Sequence, residues 1–232
     1  MRKRPCYRVD HLVGLYRTYG RPRSGGTPFF IPDDERSQTA LGERVLSIFR
    51  EEGSEIIAED LGTVPDFVRA SLTRMDVPGF RVARWEREWH APGRPFRDPA
   101  AYPRRSVAIS GTHDTEPLAV WWAQASREER ALAMQTPTAI RVAGGRDLVD
   151  APYVPVVRDV LLESLFASGS ELLLLAIQDV FGWSHRINEP ATVNDINWSY
   201  RLPWPSDRFD EVEEARERRD RLHRWAVEYG RI

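Results

Sequence analysis

The chain has 232 residues, 41% of them apolar, with 8 Trp, 7 Tyr and 9 Phe, enough to bury a sizeable core and to exclude a disordered chain. Its 33 basic and 35 acidic side chains leave a formal charge of -2, without the basic excess that draws proteins to nucleic acid or anionic lipid, so neither partner is expected. The single cysteine, Cys6, excludes an intrachain disulfide framework and any multi-thiolate metal site, and fits a reducing, cytoplasmic setting.

The start, Met1 to Pro5, is basic and runs into the polar stretch Tyr7-Arg8-Val9-Asp10 in place of an apolar signal core. The longest apolar run, Leu172 to Ile177, is far too short for a membrane span. In chain order, short apolar runs alternate with helical patterns, as βα units and a parallel sheet require. Cys6 to Val9 is the first expected strand; Ser37 to Glu52, with Leu41, Val45, Ile48 and Phe49 at helical spacing, is the first amphipathic helix. Glu55 to Ala58 is a second strand, followed by a helix over Pro65 to Arg74 with proline in its first turn. Strands are expected at Gly79 to Arg84 and Ser106 to Ser110, separated by the proline-rich, aperiodic stretch 86–105. Helices follow at Pro117 to Ala125 and Arg127 to Met134, while 136–152, with Gly144-Gly145, reads as a second long loop. Pro155 to Ala167 is a helix leading into a last strand, Leu172 to Ile177. Asp207 to Tyr229 mixes signs densely and predicts a surface helix with i,i+4 ion pairs. The expected division is thus an α/β body over residues 1–206, with loop insertions near 86–105 and 136–152, and a C-terminal surface helix over 207–232.

Three strand runs are each followed at once by carboxylates: Arg8-Val9-Asp10-His11, Ala58-Glu59-Asp60-Leu61-Gly62 and Gly111-Thr112-His113-Asp114. In a parallel α/β barrel the C-terminal strand ends converge on one face, so acids roughly fifty residues apart in sequence can meet there. One such acid is more often a helix cap; three in succession, two beside a histidine and one near an arginine, point to chemistry. The reaction that needs them is glycosidic cleavage with retention, where one carboxylate attacks the anomeric carbon and a second, protonated, releases the leaving oxygen, at a separation of about 5 to 5.5 Å. Arg8 would hold Asp10 ionised, Glu59 would need a raised pKa, and His113 would donate to sugar hydroxyls. Five histidines, at 11, 90, 113, 185 and 223, show no metal-ligand spacing.

The ordered series Arg-Val-Asp-His, Ile-Ile-Ala-Glu-Asp-Leu-Gly, Pro-Gly-Phe-Arg-Val and Ser-Gly-Thr-His-Asp-Thr, followed by Trp121-Trp122, resembles the 4-α-glucanotransferases, also called amylomaltases or disproportionating enzymes. The late segment Gln178-Asp179 to Arg186-Ile187-Asn188-Glu189-Pro190, then Asn197-Trp198, Tyr200-Arg201 and Pro203, is similar to the C-terminal signature of that family. The resemblance implies Asp10 as nucleophile, Glu59 as general acid/base and Asp114 as transition-state stabiliser, with Arg8 and His113 binding the reacting sugar. It implies transfer of α-1,4-glucan segments between maltodextrins and glucose through a covalent glucosyl-enzyme, with no metal and no organic cofactor. Transfer calls for aromatic platforms, for which Trp85, Trp89, Trp121, Trp122 and Trp198 are candidates, although most tryptophans serve as packing. Two departures stand out: Thr115-Glu116-Pro117 after Thr-His-Asp where the family often has Asn-Asp, and Asn194-Asp195-Ile196 in place of a glycine-rich turn.

The implied fold is α/β of the (β/α)8 TIM-barrel type. The nucleophile strand is the fourth in this family, whereas three preceding βα units would need on the order of 90 residues. The expectation is therefore an incomplete barrel, with strands 4 to 8 present and strands 1 to 3 missing, and a missing N-terminal segment as partner. Two other readings compete: an inactive glucan-binding half-barrel that needs that segment, and an α-amylase-type hydrolase with the same order of acids. The Ala-Glu-Asp-Leu-Gly and Arg-Ile-Asn-Glu-Pro runs favour the transferase.

Overall fold

The computed structural model describes residues 5–232; the basic start at residues 1–4, the front of the expected 1–206 body, lies outside the described residues. The first half of the chain forms β1 (Cys6–Val9), β2 (Thr18–Gly20), β3 (Phe29–Ile31), α1 (Glu35–Glu51), β4 (Glu55–Ala58), α2 (Asp66–Arg74), β5 (Gly79–Val82) and β6 (Ser106–Ile109). The second half forms α3 (Leu118–Gln124), α4 (Arg127–Met134), α5 (Pro137–Ala143), α6 (Pro155–Phe166), β7 (Leu172–Leu174), α7 (Ile177–Phe181) and α8 (Glu213–Glu228). Five strands make one sheet in the order β1-β4-β5-β6-β7, and β2 and β3 form a separate antiparallel pair. β1 and β4 run parallel with Val9 level with Ala58, and Ala58 in turn pairs with Gly79 of β5, also in parallel.

Two compact units divide the chain: one holds the described residues up to Phe80 together with Arg105–Val107, the other Arg81–Arg104 and Ala108–Ile232. In the first unit α1 and α2 cover the strands with Leu46, Val68 and Leu72, which pack with Leu12, Tyr16, Ile56 and Ala58. Asp34 caps α1 by accepting the Ser37 N–H at 2.9 Å, which starts the helix two residues ahead of the expected Ser37. A Cβ at Gly42 would overlap the Tyr16 ring, so the glycine lets α1 ride close over that buried side chain. The Tyr16 hydroxyl donates to Ser71 Oγ at 2.9 Å and Ser71 donates to Glu43 at 2.7 Å, which satisfies the buried polar atoms beneath the helices. In the second unit the core is built on Trp122, Leu118, Val157, Val160, Leu162, Phe166 and Trp225. Trp122 is wholly enclosed and its indole N–H donates to the Ala151 carbonyl at 2.9 Å.

The structure departs from the sequence reading in four places. The stretch 136–152, read as a loop, contains α5: Thr136 Oγ1 accepts the Ala139 N–H at 3.2 Å, Pro137 occupies the first turn, and Gly144 at φ 60° ends the helix. Seven residues are too few to establish a period, so only the caps announced this helix. The run Leu172 to Ile177 splits, because the strand stops at Leu174 and Ile177 opens α7; a continuous apolar run cannot tell strand from buried helix. The β2–β3 pair was not expected, since three-residue strands carry almost no alternation. Among the described residues, the ion pairs of α8 run from Arg218 and Arg221 to Asp159 of α6, at 2.8 and 3.5 Å, and from Arg219 to Asp210 and Asp220, in place of the expected i,i+4 pairs. That helix buries Ala215, Arg218 and Trp225.

Candidate active site

In the first unit the end of β1 and the end of β4 are level, so parallel pairing alone brings Asp10 and Glu59 to adjacent strand ends. Backbone bonds fix them there: Glu59 N–H donates to Val9 O at 3.0 Å and Leu12 N–H donates to Glu59 O at 3.2 Å, one on each side of Asp10. Arg8 Nη2 donates to Asp10 Oδ1 at 2.5 Å, and the Arg8 guanidinium lies 5.5 Å from the centre of the Phe80 ring. His11 adopts a left-handed backbone, φ 46° and ψ 52°. That turn aims its amide at Glu59, which accepts it through Oε2 at 2.6 Å. Removal from water pushes the Glu59 carboxyl above its ordinary pKa; the His11 amide pulls the other way, and the Asp10 charge adds to the rise. One half-buried carboxyl with raised affinity for a proton thus stands beside an exposed carboxylate neutralised by arginine.

Asp60, the next residue, has a structural task. It is buried, accepts the Phe80 N–H through Oδ1 at 2.8 Å and pairs with Arg69 at 3.2 Å. A Cβ on Gly79 would overlap the Asp60 carboxylate, so the Pro-Gly-Phe-Arg run and the Glu-Asp pair fit as one joint. This joint fixes both the strand end that carries Glu59 and the Phe80 ring beside Arg8.

In the second unit Asp114 lies in the turn after β6. Thr115 closes that turn: its Oγ1 accepts the Thr112 N–H at 2.9 Å and donates to Thr112 O at 3.0 Å. Asn188 Nδ2 donates to Asp114 Oδ1 at 2.6 Å, Arg186 Nη2 donates to the Asp114 carbonyl at 2.6 Å, and His113 Nε2 is 3.4 Å from Asp114 Oδ2. The His113 ring lies 5.2 Å from that of Trp198. Beneath the turn, Arg84, 4% exposed, donates to Glu116 Oε1 at 2.7 Å and to its carbonyl at 2.6 Å. Asp179, 1% exposed, accepts the Leu118 N–H at 2.6 Å, and burial pushes its pKa up.

The structure brings Arg8, Asp10 and Glu59 together in one unit and His113 with Asp114 in the other. Of the platform candidates, Trp121 and Trp122 are core, whereas Trp85, Trp89 and Trp198 are exposed by 43%, 57% and 60%. Sequence reasoning gave no individual part to Asp60, Glu116, Arg186 or Asn188; the joint with Gly79 had a signal in the adjacent Glu59-Asp60 pair, while Arg186 and Asn188, 72 and 74 residues from Asp114, stood out only as members of the late signature, with nothing to tie them to Asp114. Among the described residues no group of three or more His, Cys, Asp or Glu side chains is placed to hold a metal ion, and no helix is long and apolar enough to cross a membrane.

Comparison with known proteins bears on the same residues. The family model described as 4-alpha-glucanotransferase matches residues 1–207. The 4-alpha-glucanotransferase of Chlamydia caviae is 32% identical over 203 residues, covering 84% of this chain and 37% of the relative, and that of Chlamydia trachomatis is 31% identical with the same coverage. The chain therefore spans little more than a third of the length of these curated relatives. Among solved structures, amylomaltase from Streptococcus agalactiae in complex with acarbose aligns with a TM-score of 0.71 at 23% identity, over 97% of this chain and 41% of that one. Amylomaltase from Corynebacterium glutamicum aligns with a TM-score of 0.71 at 21% identity, over 93% and 35%. With the family model matched along most of its length, this chain belongs to the 4-alpha-glucanotransferase family.

Proposed function

We propose that the chain carries the catalytic acids of a 4-α-glucanotransferase, a glycosyltransferase that moves α-1,4-glucan segments between maltodextrins with retention. Asp10 attacks the anomeric carbon and forms a glucosyl ester while the Glu59 carboxyl gives its proton to the departing 4-oxygen. Glu59, now a carboxylate, takes the proton from the 4-hydroxyl of an acceptor glucan as that oxygen displaces Asp10. Asp114 stabilises the positive charge that develops on the sugar ring, and Arg8 and His113 bind the reacting residue. The observation that carries this reading is the pair at the ends of β1 and β4: a carboxylate bonded to Arg8 beside a carboxyl whose pKa is raised by burial. Family membership supports it, and exposed Trp198, whose ring lies near that of His113, supplies an apolar face on which an acceptor sugar can exclude water. The one cysteine supports a reducing, cytoplasmic setting.

A second reading is favoured by the coverage of relatives. It holds that β1 and β4–β7 are strands 4 to 8 of a (β/α)8 barrel, and that turnover requires strands 1 to 3 from a further segment. Incubation with maltotriose tests both. Glucose together with longer maltodextrins supports transfer, whereas glucose and maltose without chain lengthening indicates an α-amylase-type hydrolase. No turnover by this chain alone, but lengthening after the N-terminal part of a relative is added, supports the second reading.

A further inference from the structure

We infer that Arg186 and Asn188 are positioning residues for Asp114, and that Glu116, anchored on buried Arg84, keeps Arg186 in place. The inference rests on the proposed role of Asp114 and adds what orients that acid. Asp114 is gripped at two points by one segment: its carbonyl accepts from Arg186 Nη2 and its carboxylate from Asn188 Nδ2, each at 2.6 Å. The two gripping residues are themselves tied, since Arg186 Nε donates to the Asn188 carbonyl at 2.7 Å. Fixing backbone and side chain together determines the direction of the carboxylate, which a single contact would leave free to rotate. Segment 186–188 has no helix or strand of its own; one backbone bond, from Trp198 N–H to Ile187 O at 2.8 Å, holds its middle, and the direction of the Arg186 side chain needs a further anchor. Glu116 supplies it, with Oε2 at 4.0 Å from Arg186 Nη1 and Oε1 at 2.7 Å from Arg84 Nη1. The Arg84 side chain is 2% exposed, so it has no solvent to turn to and holds Glu116 as a fixed post. Glu116, which lies within the Thr115-Glu116-Pro117 run that departs from the family pattern, is in this way the link between the core and the loop that orients Asp114.

The test uses the whole chain and two readouts. In ¹H–¹⁵N spectra the Asn188 side-chain amide should lie away from the free-amide position and exchange slowly. It should return to the free position in Asp114→Ala, and also in Arg186→Met and Glu116→Gln without loss of the dispersed core signals. An Asn188 amide at the free position in the wild type, or one indifferent to these substitutions, overturns the clamp. In the maltotriose assay, with the N-terminal part of a relative added if this chain alone is idle, Asn188→Ala should lower kcat on the order of tenfold or more with KM little changed. Arg186→Lys, which keeps the charge and loses the fork, should not restore what Arg186→Met loses; a rise in KM alone, or full rescue by lysine, also overturns the proposal. A locked amide in a chain that lengthens no maltodextrin under either condition supports the clamp and counts against the transferase reading.

Discussion

The acids of the two units are held by opposite means. Asp10 and Glu59 are fixed by their own neighbourhood: parallel pairing of the strands that carry them, an arginine two residues upstream and the amide of the next residue. Asp114 sits in a turn closed locally by Thr115, but its carbonyl and carboxylate are gripped by side chains that approach from more than seventy residues away. The first arrangement is rigid because backbone hydrogen bonds hold it, and altering it requires moving a strand. The second can be adjusted by single substitutions in a loop, which makes the surroundings of Asp114 the easier place for a chain to change the direction of this carboxylate.

The largest effect that would sharpen this contrast is on chemistry. Asp10→Asn leaves the local bonds of the β1 end in place, so the fold should survive while turnover falls by about 10⁴-fold or more. Circular dichroism alongside the maltotriose assay, in whichever form of the protein turns over, checks both halves; retained activity removes Asp10 as nucleophile. Gly79→Ala attacks the joint with Asp60 and should cost about 1–3 kcal/mol by overpacking. Hydrogen exchange should quicken at 55–60 and stay slow at 118–125; equal quickening in both stretches would break the distinction between the units.

A subtler effect is the pH dependence contributed by Glu59. Its folded-state pKa is raised, mainly by loss of water, so the folded chain keeps this proton longer than the unfolded chain does. Stability from this group is therefore full below the ordinary glutamate range, declines as pH rises through the interval up to the raised value, and is level above it. Urea midpoints measured across that interval should slope downward in the wild type and less so in Glu59→Gln. The smallest effect is expected at Thr136→Ala, which removes the cap of α5 at a cost of about 1 kcal/mol. Denaturation should show that loss while the Glu59 slope is unchanged.

The same contrast governs what could be read from the sequence. The strands β1 and β4, the helices α1, α2, α4 and α6 and the pairing of Arg8 with Asp10 are all encoded within a few residues, and each is found close to its expected place. The hairpin of β2 and β3, the helices α5 and α7 and the true end of β7 are too short to show a period. Arg186 and Asn188 were legible as members of a signature, but their service to Asp114 depends on how a loop returns to the β6 end, and no local pattern states that. Trp121 and Trp122 illustrate the reverse case, where residues attractive for sugar stacking are taken by the core.

The left-handed conformation of His11 sets a rule for which sequences can occupy the position after Asp10. At φ 46° glycine and asparagine fit with little strain, whereas valine and isoleucine would be forced out of the turn. A saturation library at this position should thus sort by backbone tolerance before it sorts by polarity. Variants able to keep the turn retain the amide that reaches Glu59, so the backbone part of the acid pair survives such changes, while loss of the imidazole removes one of the influences that lower the Glu59 pKa.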